Sequence, residues 1–206
     1  MADQPSVPRQ GSRPLPKDSD WLLSFLPQLR ELGPRLLELG CGPGLDAATL
    51  LAGGFEVTAL DRASLSRARK AAPAARLLRA DLATTMPFRD ASFDAAVSSL
   101  ALHYLPWRET RNAFAEARRV LRHGAPFLFR VNATDDFFHG AGQGGQLEPN
   151  FYSQPGAYHA ETKRFFDEEM VRAAVEDLFE VSHLEHETIY RFDDPKAVWE
   201  CLSFAI

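Results

Sequence analysis

One run of residues constrains this chain more than any other: Leu36-Leu37-Glu38-Leu39-Gly40-Cys41-Gly42-Pro43-Gly44, an apolar segment that breaks into alternating glycines. The segment predicts a strand, Arg35 to Leu39, and the glycines predict a turn whose peptide groups present no side chains to a ligand. A helix from about Asp46 to Leu51 follows and stops at Gly53-Gly54. A second apolar run, Phe55 to Leu60, then delivers Asp61, a carboxylate that can accept two hydrogen bonds from a ribose diol. Turn and acid together describe a nucleoside-binding site and leave open which nucleoside.

The same alternation continues along the chain. A basic helix is expected around Ser64 to Ala72, ended by Pro73, then a short strand from Arg76 to Arg79, closing on Asp81. Phe93 to Ser99 reads as a strand, Glu109 to Leu121 as a helix with Ala113, Phe114, Ala117, Val120 and Leu121 on one face, and Pro126 to Val131 as a buried strand. Continuous apolar strands alternating with helices imply a parallel sheet covered on both faces. A helix from Asp167 to Leu178, a strand from Phe179 to Thr188 and a last strand from Val198 to Ala205 follow, and the short connection between the two strands predicts an antiparallel ending. The expected fold is α/β, a doubly wound seven-stranded sheet, mostly parallel with an antiparallel C-terminal strand, with helices on both faces.

A length of 206 residues suits one domain with a full core. Residues 1–19, with Pro5, Pro8, Pro14 and Pro16, read as a flexible tail without the apolar stretch of a signal peptide, and 20–206 as a single domain opened by a helix through Trp21, Leu22, Phe25, Leu26 and Leu29. No apolar run is long enough to span a bilayer. The net charge of −5 argues against nucleic acid as the main partner. Cys41 and Cys201 form neither a metal pattern nor a disulfide framework, so the expectation is a cytoplasmic protein without a metal, acting as a monomer or homodimer.

The glycine spacing narrows the nucleoside. A dinucleotide fingerprint requires a third glycine at the position that Leu45 occupies, and no Gly-Lys-Ser/Thr of a P-loop follows. The glycine falls instead at Gly44, and Leu60-Asp61, Ala80-Asp81-Leu82 and Phe93-Asp94-Ala95-Ala96-Val97 appear in order at the ends of successive strands. This four-part pattern, from about Leu36 to Val131, resembles the class I S-adenosylmethionine-dependent methyltransferases, which have a Rossmann-like sheet. The resemblance implies S-adenosyl-L-methionine as cofactor and S-adenosyl-L-homocysteine as product. It places Gly40, Cys41, Gly42 and Gly44 against the methionine part, Glu38 beside the ammonium, Asp61 on the ribose hydroxyls and Arg62 beside the adenine. Asp81 and Leu82 would bind the adenine, and Ser99 would line the pocket near the sulfonium. Within the superfamily the chain looks most like small stand-alone enzymes acting on metabolites or oxyanions. A nicotinamide-dependent oxidoreductase and a catalytically silent cofactor-binding module stand as alternatives.

Methyl transfer is a displacement in which alignment and exclusion of water carry most of the catalysis. His103 and Tyr104 follow the fourth strand, where an imidazole can take a proton from an acceptor hydroxyl or amine. The sequence there, Ser98-Ser99-Leu100-Ala101, lacks the Asn-Pro-Pro-Tyr-like motif of enzymes acting on nucleic acid or protein amides, which counts against those acceptors, and the resemblance to small stand-alone enzymes implies a small-molecule acceptor. Residues 133–166 read as a glycine-rich lid or substrate loop carrying Phe137, Phe138, His139, Phe151, Tyr152, Tyr158 and His159. Tyr152, Tyr158 and Arg164 are the candidate acceptor-binding residues, Arg164 for an anionic group, while Lys163 reads as a surface cation.

Overall fold

A computed structural model describes residues 20–154, 162–190 and 194–206. The chain enters through a 3-10 turn, Asp20–Phe25, and a short helix α1, Leu26–Arg30, with Pro27 in its first turn, where a missing N–H costs nothing. Strand β1 (Arg35–Leu39), helix α2 (Leu45–Ala52), strand β2 (Glu56–Asp61), helix α3 (Ser66–Ala71) and strand β3 (Arg76–Arg79) follow. Then come β4 (Ala95–Ser99), a 3-10 turn at Leu102–Tyr104, α4 (Trp107–Val120), β5 (Pro126–Asn132) and a 3-10 turn at Phe137–His139. Three short strands, β6 (Gly145–Glu148), β7 (Phe151–Ser153) and β8 (Thr162–Arg164), precede α5 (Glu168–Val175), β9 (Phe179–Ile189) and β10 (Lys196–Ala205).

Seven strands form one sheet in the order β3-β2-β1-β4-β5-β10-β9. β1 to β5 pair in parallel, and β10 runs antiparallel to both β5 and β9. The strand order reverses between β1 and β4, which opens a crevice at their carboxyl ends, where such sheets bind ligands. Side chains alternate across the sheet: Leu36 packs with α1 and α2 on one face, Leu37 and Leu39 with α4 and α5 on the other. The first face also buries Val57, Ala59, Val97 and Leu128, and the second Phe114, Phe127, Phe129, Val171 and Phe179. Asp94, at the start of β4, ties the sheet to α4's end by accepting from Arg35 (3.0 and 2.8 Å) and Arg122 (3.1 Å).

Two local expectations are corrected. β4 starts at Ala95, because Phe93 makes only an isolated parallel bridge to Leu121. The segment 133–166 is not an open loop: β6, β7 and β8 form a separate antiparallel sheet. Glu148 accepts the amide N–H of Trp107 at 2.9 Å, and Thr162 Oγ1 donates to the Tyr104 carbonyl at 3.3 Å, so this sheet is fastened to the start of α4 and the turn before it. Its aromatics divide: Phe151, Phe165 and Phe166 are buried, while Phe137 and Phe138 face solvent.

Candidate active site

The carboxyl ends of the strands enclose a cavity of about 440 Å³. Its walls include Glu38, Gly40, Cys41, Gly42, Asp61, Arg62, Asp81, Leu82 and Ser99, together with His103 and Tyr104. The motif residues, far apart in sequence, therefore meet at one place.

The glycine turn is built by the adjacent strand. The Leu60 carbonyl accepts from the amides of Gly40 (2.8 Å) and Cys41 (2.9 Å), and Asp61 Oδ2 accepts from Gly42 at 2.8 Å. Asp61 Oδ1 accepts from Ala63 at 2.7 Å. The acid at the end of β2 thus shapes the turn and lines the cavity at once. Gly40, at φ +77°, has no room for a side chain: a Cβ there would lie 2.1 Å from the Ala101 Cβ. Gly44 departs from expectation, for it is not in the cavity wall. Its φ is +84° and a Cβ would meet the backbone of Ala68 at 2.7 Å, so its smallness lets α2 approach α3.

Glu38 is 3% exposed, and its Oε2 has no hydrogen-bond partner among the described residues. Burial, then the charges of Asp46 and Asp61, raise its pKa well above the usual carboxylate range. A buried carboxylate with an unmet acceptor on a cavity wall suits a cationic ligand group. Ser99 Oγ is likewise buried without a partner among the described residues. Burial pushes the Cys41 thiol up to about 12, so it packs as an apolar group and not as a nucleophile. Asp81 Oδ1 accepts from the Ala83 amide at 3.0 Å, which shapes the turn after β3 beside the cavity.

His103 is 1% exposed, and its ring lies 4.2 Å from that of Tyr104. The acceptor-binding candidates fare differently. Tyr158 lies outside the described residues, and Tyr152, whose ring lies 6.2 Å from that of Phe165, is not in the cavity wall. Arg164 is 1% exposed, paired with Glu148, and donates to the Pro149 carbonyl at 2.9 Å. Its guanidinium stacks 4.7 Å from the centre of the Phe151 ring and 5.5 Å from that of Trp107, so it braces the small sheet and does not reach the cavity. The residue beside it, Lys163, lines the cavity with His139 and Lys196. Neighbouring residues of a strand point to opposite faces, so one lies inside the sheet's packing and the other at the site. Reading the segment as a loop hid that alternation.

Residues 37–129 match the model of a methyltransferase domain. The chain is 34% identical over 121 residues to a malonyl-[acyl-carrier protein] O-methyltransferase of Enterobacter lignolyticus, covering 58% of this chain and 46% of that protein. An enzyme of the same name from Erwinia pyrifoliae is 40% identical over 100 residues, covering 46% of this chain and 36% of that protein. The chain thus spans less than half the length of these relatives. Among solved structures, an S-adenosylmethionine-dependent methyltransferase of Mesorhizobium loti has the same fold, with a TM-score of 0.71, 22% identity and coverage of 92% of this chain and 100% of that one. The 1,6-didemethyltoxoflavin-N1-methyltransferase of Burkholderia thailandensis superposes with a TM-score of 0.64 at 21% identity, covering 91% of this chain and 79% of that one. Over residues 37–129 the chain is thus similar to a methyltransferase domain, and its strand order and glycine turn give it the Rossmann-like fold of class I S-adenosylmethionine-dependent methyltransferases.

Proposed function

We propose that the chain is a methyltransferase that moves the methyl group of S-adenosylmethionine to a small-molecule acceptor by direct displacement. The observation that carries this reading is the buried Glu38 carboxylate, whose Oε2 has no partner among the described residues, in the same cavity wall as Asp61. That pair fits an ammonium at one point and a ribose diol at another, and the bare backbone of Gly40 and Gly42 allows close approach between them. Asp81 and Leu82, in the same wall, would hold the adenine, and Arg62 would flank it. S-adenosylmethionine supplies an electrophilic methyl on a sulfonium, a very good leaving group.

The chain's own residues then bind, orient and exclude water. His103, enclosed at the end of β4, is the candidate base for an acceptor that must lose a proton, with Tyr104 packed against its ring. The small sheet within 133–166 covers the acceptor side through Lys163 and its attachments to Tyr104 and Trp107. Leu45, where a dinucleotide site needs glycine, puts a side chain on the cavity wall, which disfavours nicotinamide chemistry. Two buried free thiols among the described residues suit a reducing cytoplasm, and no described helix is long and apolar enough to cross a membrane.

Calorimetry with S-adenosylhomocysteine tests the reading. The wild-type chain should bind it, and Asp61→Ala should weaken binding by about 1.5–3 kcal/mol, the scale of hydrogen bonds to a charged group. That corresponds to roughly 10- to 150-fold in Kd. Unchanged affinity in Asp61→Ala, or tight binding of NADH with no response to S-adenosylhomocysteine, would overturn it.

A further inference from the structure

A second group of charges faces the cavity from the β5–β10 side. Lys163 from β8, Lys196 from β10 and His139 from the turn at Phe137–His139 line it together. Behind them Asp136 is 1% exposed. Its carboxylate accepts from Lys196 Nζ at 2.6 Å and from the Ala197 amide at 3.3 Å, and meets His139 Nδ1 at 2.7 Å. Lys163 Nζ donates to the His139 carbonyl at 3.0 Å, which joins the small sheet to the cluster.

Among the described residues two ammonium groups face one carboxylate, and Asp136 pairs with Lys196. Among the described residues no carboxylate lies within ion-pair distance of Lys163. Its ammonium is half-buried; burial lowers its pKa, and the charge of Asp136 opposes that shift. A desolvated cation short of a counter-ion is costly to hold, and an anion entering the cavity removes that cost. Asp136 anchors both Lys196 and His139, so these groups are positioned before any ligand arrives. The opposite end of the same cavity carries Glu38, Asp46, Asp61 and Asp81, which repel an anion. The cavity is therefore polarised, acidic at one end and basic at the other.

We propose that Lys163, Lys196 and His139, braced by Asp136, form the acceptor subsite, and that the acceptor is a small molecule bearing an anionic group such as a carboxylate or phosphate. This rests on the acidic end being the donor site and names the substrate class for it. The chemistry is an ammonium–anion contact in a partly desolvated wall, strengthened by the low local dielectric.

Calorimetric titration of the full chain with malonate, with and without saturating S-adenosylhomocysteine, tests the proposal, with malonamide as the neutral match. Malonate should bind saturably at low salt, at least about tenfold more tightly than malonamide. Lys163→Met should weaken it by a similar factor and Lys163→Arg should retain it, with S-adenosylhomocysteine affinity unaltered in both. Equal binding of malonate and malonamide, or wild-type malonate affinity in a folded Lys163→Met, overturns the subsite. Failure of the donor reading is seen separately, as absence of S-adenosylhomocysteine binding to wild type, while malonate added alone still reports on the basic end. Should Lys163→Met not fold, the wild-type contrast between malonate and malonamide decides, together with the His139 ring signals by NMR. Those signals should move with malonate and stay unmoved with malonamide.

Discussion

Replacing Gly40 with alanine should damage stability and donor binding together, and the loss divides into two parts. The first is conformational: φ at Gly40 is +77°, where an L-residue costs about 1–2 kcal/mol. The second is steric. The new Cβ would sit 2.1 Å from the Cβ of Ala101, well inside the roughly 3.5–4.0 Å at which two carbons rest. Relief requires the turn after β1 or the backbone before Leu102 to move by more than an ångström, and overpacking of this kind costs about 1–3 kcal/mol. Together these give about 3 kcal/mol, a fall in Tm of about 6–12 °C at the 2–4 °C per kcal/mol usual for a chain of this size. Thermal melts and urea unfolding of Gly40→Ala measure it. The double variant Gly40→Ala/Ala101→Gly separates the parts, because removing the Ala101 methyl should return the steric share and leave the conformational one. S-adenosylhomocysteine affinity should fall at least about tenfold in the single variant, since the amides of Gly40 and Cys41 share the Leu60 carbonyl. A single variant that melts within a degree of wild type, or a double variant no more stable than the single, refutes the reasoning.

Two further substitutions read the site's charges. Burial and then the charges of Asp46 and Asp61 raise the Glu38 pKa, so its folded value lies above its unfolded one. Stability from that shift is full below the ordinary value of 4.5 and is lost as pH rises through the folded value. Glu38→Gln, which cannot ionise, should therefore gain on wild type in urea unfolding between pH 5 and pH 8 while binding S-adenosylhomocysteine more weakly; a stability difference independent of pH counts against the assignment. At Asp94 burial pushes the pKa up, but hydrogen bonds from Arg35 and Arg122 outweigh it and the net shift is down. Its contribution is present above the ordinary value of 3.8 and lost as pH falls through the lower folded value. Asp94→Asn should cost about 1.5 kcal/mol at pH 7, the low end for charged hydrogen bonds because both arginines are half-exposed, with the gap to wild type narrowing as pH falls below 3.8. A gap of constant size across that range would show that Asp94 acts by packing alone.

Much of the acidic end of the cavity was legible in the sequence. Glycines, strand ends and acids lie close together in the chain from Leu36 to Leu82, and a parallel sheet brings successive carboxyl ends to one edge. Local spacing there is nearly the geometry itself. Gly44 shows the limit, because its pattern position matched while its contact with α3 depends on how two helices pack. The basic end was far less legible. Arg164 was the natural choice for an anion on charge alone, yet it is sealed between Phe151, Trp107 and Glu148, and Lys163 takes the cavity side. Lys196 lies 60 residues from Asp136 in sequence, and no local pattern links them.

By itself the sequence determined the doubly wound sheet, the glycine turn, the acids that follow it and the resemblance to methyltransferases. Those features arise from short-range periodicity and from residues with unusual backbone freedom. The tertiary structure alone decided which of two adjacent cations faces the cavity, that Glu38 Oε2 has no partner among the described residues, and that Asp136 gathers Lys196 and His139. Each of these depends on burial and on contacts between distant segments. Such contacts set charge and desolvation, and no window along the chain contains them.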